Sequence, residues 1–455
     1  MEPLDPRVPG PIPRGDAGPL GATSGPFEAI GGPALGPPVA SPRSRQAAMP
    51  FIMLTVLIDM VSVGLIIPVL PALVGSFTAS SADQVFWYGV VAFAFGLANF
   101  IGSPILGALS DRYGRRPILL LGFCGLALNF FATALATALW VLIAVRLLGG
   151  AMQANAAVAN AYVADITPPE QRAKRFGLLG AMFGIGFMLG PVTGGLLGAI
   201  DLHLPFFVAG GLALLNLAYG WFVLPESLAP AQRRAVDWAK ALNPVASLRA
   251  LSQLKEVGLL VAVVACTGLA QFVLYSTWVL YGHFKFGWGP RESGLSLFAV
   301  GLMSVFVQGW LLGRLLKRFS PQRLAVIGLT SSSLAYAAWG LSTEGWMMYA
   351  VIFINGFGFT AAASIQSIIS GAASETTQGQ TMGSASALTS LMAVIAPVLS
   401  TPLLGVVSHL PAGDWRLGAP LYFCAVLQAV ALALAVIHFR GRRLGRMAAA
   451  SGSTS

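Results

Sequence analysis

The sequence predicts an all-α integral membrane protein in which twelve helices cross the bilayer as two pseudo-symmetric six-helix bundles. Three observations carry this reading. Of 455 residues, 56% are hydrophobic and only 10% are charged, against about 25% charged in a soluble domain. Apolar runs of roughly the 20 residues needed to cross a bilayer recur through most of the chain. The longest polar interruption falls after the sixth run and divides the chain six plus six. A soluble enzyme and a nucleic-acid binder are both excluded: the net charge of +10 is scattered through short loops and reports topology, with no basic domain to hold a polyanion.

Element by element, residues 1–48 are rich in Pro and Gly and lack the apolar core of a signal peptide, so a disordered tail is expected, with Met49 as a possible physiological start. Spans are expected at about 49–73, 86–109, 117–137, 139–163, 175–199 and 205–224, forming the first bundle over 49–224. A linker follows at 225–256. The second bundle, 257–439, holds spans at about 257–281, 292–316, 323–342, 346–370, 381–404 and 417–439, and a basic tail occupies 440–455. Lys and Arg concentrate in the tails, the linker and the loops at 110–117, 164–176 and 314–323, leaving Lys285, Arg291 and Arg416 on the other side and Arg146 within a span. The positive-inside rule then puts both termini in the cytoplasm. GALSDRYGRRP after span two is echoed by GRLLKRFSPQR after span eight, as duplicated halves around a central cavity would produce; that is the usual layout of a secondary transporter.

Two ionisable residues stand clearly inside spans, where a charge is costly and marks function by default. Asp59 lies roughly 15 Å into span one and Arg146 about 10 Å into span four, counted at 1.5 Å per residue. A carboxyl whose access to water changes can load and release a proton, which makes Asp59 the proton-site candidate. Alternatively Asp59 and Arg146 form a static ion pair, or Arg146 binds an anionic moiety. Asp59 precedes Pro68 and Pro71 in IDMVSVGLIIPVLP, where prolines supply either a gating bend or an ordinary kink. In the loop that follows span two, Gly107, Asp111, Arg112, Gly114, Arg115 and Arg116, with Asp165 after span four as an acceptor, read either as a topogenic loop or as a cytoplasmic latch. Span five, GAMFGIGFMLGPVTGG, sets Gly180, Gly184, Gly190 and Gly194 around Pro191, a packing face or a seam that must move. Asn99, Asn129, Gln153, Asn155, Gln271, Gln308, Asn355 and Gln366 are amides within spans, each either an interhelical hydrogen bond or a cavity contact. Phe95, Trp278 and Trp310 read as packing or bilayer residues. Cys124, Cys266 and Cys424 sit singly in different runs, and no metal-ligand spacing is present.

On these motifs the chain resembles the major facilitator superfamily, and within it the tetracycline-efflux type of drug:proton antiporter. The loop motif, the first-helix motif and the helix-five antiporter motif all match, and VADITPPEQRAKRFG, LPES at 224–227, ALNPVASLRAL and GFGF add to the likeness, which covers about 49–440. The resemblance implies that Asp59 and Arg146 are essential for transport, that Asp111, Arg115, Arg116 and Asp165 control the cytoplasmic gate, and that Asn99, Gln271 and Gln308 belong to a polar cavity. It implies a monomer in the bacterial inner membrane, exchanging inward protons for an outward drug-like molecule with no cofactor beyond the proton gradient and no metal. Tetracycline exporters carry aspartates where this chain has Asn129 and, in span nine, near Ser331 and Ser332, and commonly a histidine where Ser304 stands. A cavity without those acids is expected to favour a neutral or less charged cargo over a cationic chelate. The competing reading is a proton-coupled importer of a sugar or metabolite on the same fold.

Overall fold

The computed structural model describes residues 42–153, 155–168, 171–233, 235–236, 238, 258–372 and 378–452. The expected disordered tail lies outside the described residues as far as position 41, but its last part, 42–48, is helical and continues into the first span; Arg234, Lys240, Arg249 and Lys255 of the expected linker also lie outside the described residues. Among the described residues the regular elements are all helical, and twelve are long and apolar enough to cross a membrane: α1 Met49–Gly75, α2 Ser81–Tyr113, α3 Arg115–Ala134, α4 Leu139–Ile166, α5 Arg175–Gly198, α6 Leu204–Val223, α7 Leu259–Phe286, α8 Pro290–Leu316, α9 Pro321–Leu341, α10 Gly345–Ile369, α11 Ala387–Val407 and α12 Trp415–Gly441. An even number of crossings puts the start of α1 and the end of α12 on one face, here called the terminal face. The opposite one is the far face.

Helical structure is dictated by the solvent, since backbone polar groups in hydrocarbon must be satisfied within their own segment. Large apolar side chains accordingly cover the outside; Phe222 and Ile354 are each more than three-quarters exposed, as suits spans whose surroundings are acyl chains. Exposed Trp140, Trp346 and Trp415 mark the far-face ends of α4, α10 and α12, the level at which indole rings anchor.

Several spans are interrupted, and the interruptions matter. The first leaves helical geometry between Ile66 and Leu70, where Pro68 removes a donor. Span α4 breaks at Gln153, between helices ending at Met152 and starting at Asn155. At the corresponding place in the second half, α10 tightens into a 3-10 turn at Asn355–Phe359. A π-turn occupies Val307–Leu311 of α8. Broken helices at equivalent places in two halves are the backbone signature of a binding region between them.

The halves meet along two antiparallel seams, α2 with α11 and α5 with α8. Both are tight only toward the far face. On the first, Ser81 Oγ donates to the Ser408 carbonyl at 3.3 Å, and a methyl placed on Gly89 would strike Thr401. On the second, methyls placed on Gly195 and Gly301 would lie 3.0 Å from Gly294 Cα and from Met188 Cβ, whereas one on Gly184 would only just reach Val305, at 3.9 Å. Beyond that point Gly177 and Gly180 of α5 and Gly309 and Gly313 of α8 have nothing within 4 Å, and the same holds for Gly107 of α2. The bundle is closed at the far face and splayed at the terminal face.

Candidate functional site

Asp59 is 3% exposed on α1, and its Oδ1 accepts a hydrogen bond from Asn155 Nδ2 at 2.8 Å. The α4 break makes this possible, because it presents Asn155 at the start of a new helix. Asn155 is wedged from behind by Gly122 of α3, where any Cβ would overlap its Oδ1. The glycines of α5 bring α1 close: a methyl on Gly64 would lie 2.9 Å from Gly190 Cα and from Pro191 Cδ, and one on Gly194 would run into the Leu65 carbonyl. Gly190, Pro191 and Gly194 therefore form a packed α1–α5 contact, while Gly180 and Gly184 fall on the splayed part of the α5–α8 seam.

Arg146 is also 3% exposed, but it does not pair with Asp59; no ion pair joins them among the described residues. Equal depth does not bring them together, since depth says nothing of which face of α4 a side chain occupies. Arg146 borders a central cavity of about 470 Å³ between the halves, with Tyr88, Phe95 and Asn99 on one wall and Tyr275, Trp278 and Ser390 on the other. Its guanidinium carbon lies 5.8 Å from the Phe95 ring centroid, and its Nε and Nη2 are buried without a hydrogen-bond partner. A neighbouring hollow of about 340 Å³ in the second half shares Tyr275 and Trp278 and adds Gln271, Ser304, Gln308, Ser332 and Asn355. A third, of about 510 Å³, adds Gln366.

Of the eight amides singled out in the sequence, Asn155 holds Asp59, and Asn99, Gln271, Gln308, Asn355 and Gln366 border these hollows. Gln153 instead uses its carbonyl to accept from Asn99 Nδ2 at 2.6 Å. Asn129 packs against Gly149 of α4, 3% exposed and with both side-chain polar atoms unpartnered. Phe95 and Trp278, read as packing or bilayer residues, line the central cavity; Trp310 is half exposed beneath the Arg314 guanidinium.

At the terminal face the α2–α3 loop folds into one polar cluster. Arg115 pairs with Asp111 at 2.5 Å, donates from Nε to Asp165 at 3.1 Å, and bonds Ser110 Oγ at 2.6 Å. Ser227 Oγ also donates to Asp165. The sequence reading missed Glu226, whose carboxylate accepts the backbone N–H groups of Arg115, Arg116 and Leu228 at 2.9, 3.3 and 3.0 Å. It caps α3 where a negative charge is favoured by the helix dipole. Gly114, with φ of +109°, sits against this carboxylate, and any Cβ there would strike it. Arg116 donates to the Trp221 carbonyl rather than to an acid, and Arg112 lies against Tyr113. Every partner belongs to the first half or, as Glu226, Ser227 and Leu228 do, to the start of the linker that follows it, so in this arrangement the cluster ties the first bundle to the linker and does not reach the second bundle.

Lys285, assigned by the sequence to a loop, is buried at the end of α7 and donates to the Asp414 carbonyl at 2.9 Å. Just outside the membrane, hydrogen bonds from Arg416 hold the Asp414 carboxyl below its ordinary pKa. Among the described residues no group of three or more His, Cys, Asp or Glu side chains could hold a metal ion.

Two six-span halves around a central cavity, with discontinuous helices at matching positions, define the class of secondary transporters. The family model of the Major Facilitator Superfamily matches residues 52–397, and the chain belongs to that superfamily, grouping within it with tetracycline resistance proteins. It is a multi-pass membrane transporter and not an enzyme. Among its relatives are the class C tetracycline resistance protein of Escherichia coli, 37% identical over 81% of this chain and 92% of that protein. The class B protein of Escherichia coli is 32% identical over 82% and 92%. "Multidrug resistance protein 2" of Bacillus subtilis is 28% identical over 78% and 88%. In fold the chain resembles the human organic anion transporter MFSD10, with a TM-score of 0.66 at 22% identity over 86% of this chain and 99% of that one. It also resembles a bacterial homologue of the lysosomal transporter Spinster in an inward-facing, unoccupied conformation, with a TM-score of 0.68 at 17% identity over 88% and 98%.

Proposed function

We propose that this chain is a proton-coupled exporter of drug-like small molecules that works by alternating access in the bacterial inner membrane, with both termini in the cytoplasm. The observation that carries the reading is the separation of two buried ionisable groups. Asp59 is held by Asn155 on the α1–α4 contact, whereas Arg146 faces the cavity between the halves. A carboxyl that exchanges a proton apart from the cargo, but on helices that pack along the moving seam, can couple the two without competing for one site. The excess of Lys and Arg in the terminal-face loops supports a cytoplasmic terminal face, so the cavity opens to where an exported compound would be collected. The relatives named as tetracycline and multidrug resistance proteins support an amphipathic, drug-like cargo. In the return step the terminal face closes around the Asp111, Arg115, Asp165 and Glu226 cluster. The cycle needs no cofactor beyond the proton gradient, and one chain suffices.

The test is proton release from everted membrane vesicles, followed with a pH-sensitive dye, as tetracycline and unrelated amphipathic drugs are added to wild type and Asp59→Asn. Drug-dependent proton release that disappears in the variant is expected. A signal retained at full size in Asp59→Asn removes the proton from that residue. Uptake of cargo only in right-side-out vesicles would turn the direction to import.

A further inference from the structure

We infer that Arg146 forms an anion-binding subsite in the central cavity, and that the cargo this cavity selects is a planar amphipathic compound carrying one carboxylate or sulfonate. The inference rests on the reading of the cavity as the cargo site. Among the described residues that line the three neighbouring hollows, Arg146 is the one charged side chain, and no Asp or Glu is present. Asp59 is engaged by Asn155 and does not line the cavity.

The unmet donors of Arg146 are specific. Nε and Nη2 lie along one edge of the guanidinium, and both are buried with no acceptor. That edge is the fork that receives the two oxygens of a carboxylate, or two oxygens of a sulfonate, in parallel hydrogen bonds. A guanidinium withdrawn from water with an idle fork is unfavourable by itself, so the missing acceptor is the part of the site that the ligand brings. Tyr88, Phe95, Phe187, Tyr275 and Trp278 supply flat apolar walls on both halves, suited to a rigid ring system, with the acid group reaching toward α4. A cationic cargo would meet the same arginine with no carboxylate to offset it, so the cavity rejects cations as well as attracting anions.

The experiment measures equilibrium binding to the purified full chain in detergent at mildly alkaline pH, with three fluorescent probes that share one body: pyrenebutanoate, its amide, and the matching pyrenylbutylammonium. Wild type should bind the acid about tenfold or more tightly than the amide, with the ammonium weakest. Arg146→Gln should bring the acid down to the amide while leaving amide affinity unchanged, which also reports that the cavity is still formed. Arg146→Lys, which keeps the charge and loses the fork, should retain part of the preference. Asp59→Asn should leave the ratio as in wild type. Equal binding of acid and amide by wild type, or an acid preference that survives Arg146→Gln, overturns the inference. So does a ratio that moves as much in Asp59→Asn as in Arg146→Gln, because the arginine would then answer to that carboxylate. Binding without a proton gradient keeps this result apart from the export reading. Acid preference with no drug-dependent proton release would retain the subsite and discard export, and the reverse pattern would retain export and discard the subsite.

Discussion

Gly180→Leu should leave the protein as stable as wild type and yet slow transport by roughly 5- to 150-fold. On the tight part of the α5–α8 seam, Gly195 meets Gly294, Met188 meets Gly301, and Gly184 reaches Val305; each step back along α5 is matched by an equal step forward along α8. One more step of four places Gly180 opposite Gly309, both of which have open space where a Cβ would go. The π-turn at Val307–Leu311 adds a residue to that stretch, so that beyond it Gly313, not Leu312, falls opposite Gly177. In the splayed state a Cβ at 180 enters open space, which is why stability should change little. When the terminal face zips shut in the same register, that leucine overpacks a glycine–glycine contact, at a cost of about 1–3 kcal/mol. A penalty of that size on one of two states lowers the closed population about 5- to 150-fold, and the rate follows if closure lies on the cycle. The assays are the melting temperature of the purified protein and drug-dependent proton release in everted vesicles, with oxidative cross-linking of a Gly180→Cys, Gly309→Cys pair as a direct reading of proximity, since a disulfide needs Cα atoms within about 7 Å. Wild-type transport by Gly180→Leu, or no cross-link under any combination of substrate and pH gradient, would refute the register argument.

Four further outcomes follow from the same geometry. Asp59→Asn is expected to keep its gel-filtration profile and lose drug-dependent proton release. Gly122→Ala should push Asn155 off Asp59, because the added methyl overlaps the Asn155 amide; proton release should fall at least about tenfold while probe binding in the cavity persists, as a coupling defect of about 1.4 kcal/mol requires. Glu226→Ala removes the acceptor of two backbone N–H groups at the start of α3 and of the Leu228 N–H, and with partial exposure a loss of about 1–3 kcal/mol is expected, read as a lowered melting temperature. Gly194→Val should destabilise more than Gly180→Leu, by about 2–3 kcal/mol, since its side chain is driven into the Leu65 carbonyl.

Hydropathy made the twelve spans legible because each is a long one-dimensional signal, and the loop chemistry around Asp111, Arg115 and Asp165 was legible because those residues sit in short motifs next to span ends. Contacts that depend on helix rotation were not legible. The depths of Asp59 and Arg146 suggested a pair, yet the first faces α4 beyond its break and the second faces the cavity; residue counting fixes height along an axis and leaves azimuth free. Asn155 stood among eight amides, and only the interruption at Gln153 distinguishes it. Glu226 lies 111 residues from the amide it caps, a separation at which the local LPES pattern carries no information about its partner. Lys285 falls outside the expected span, which ends at about 281, whereas α7 continues to Phe286; the Asp414 backbone carbonyl satisfies its ammonium.

The glycines of α5 serve two different contacts, and this explains why one motif is so dense. Gly190 and Gly194 hold α1, and with it Asp59, against α5 on a contact made in this state. Gly177, Gly180 and Gly184 line up along the seam with α8, where the partner surface is absent or barely in reach. A single helix thus carries the wall behind the proton-site candidate on one face and the closing surface on another. On the proposed export cycle, protonation of Asp59 would remove a charge beside the α1–α5 contact, and any resulting shift of α5 would pass without an intermediary to the seam whose closure would end cargo access. Cargo in the cavity that Phe187 of α5 borders would bias the same helix from the cavity side. Coupling of the proposed kind would then require no long relay of side chains, only one element whose position both ligands favour differently.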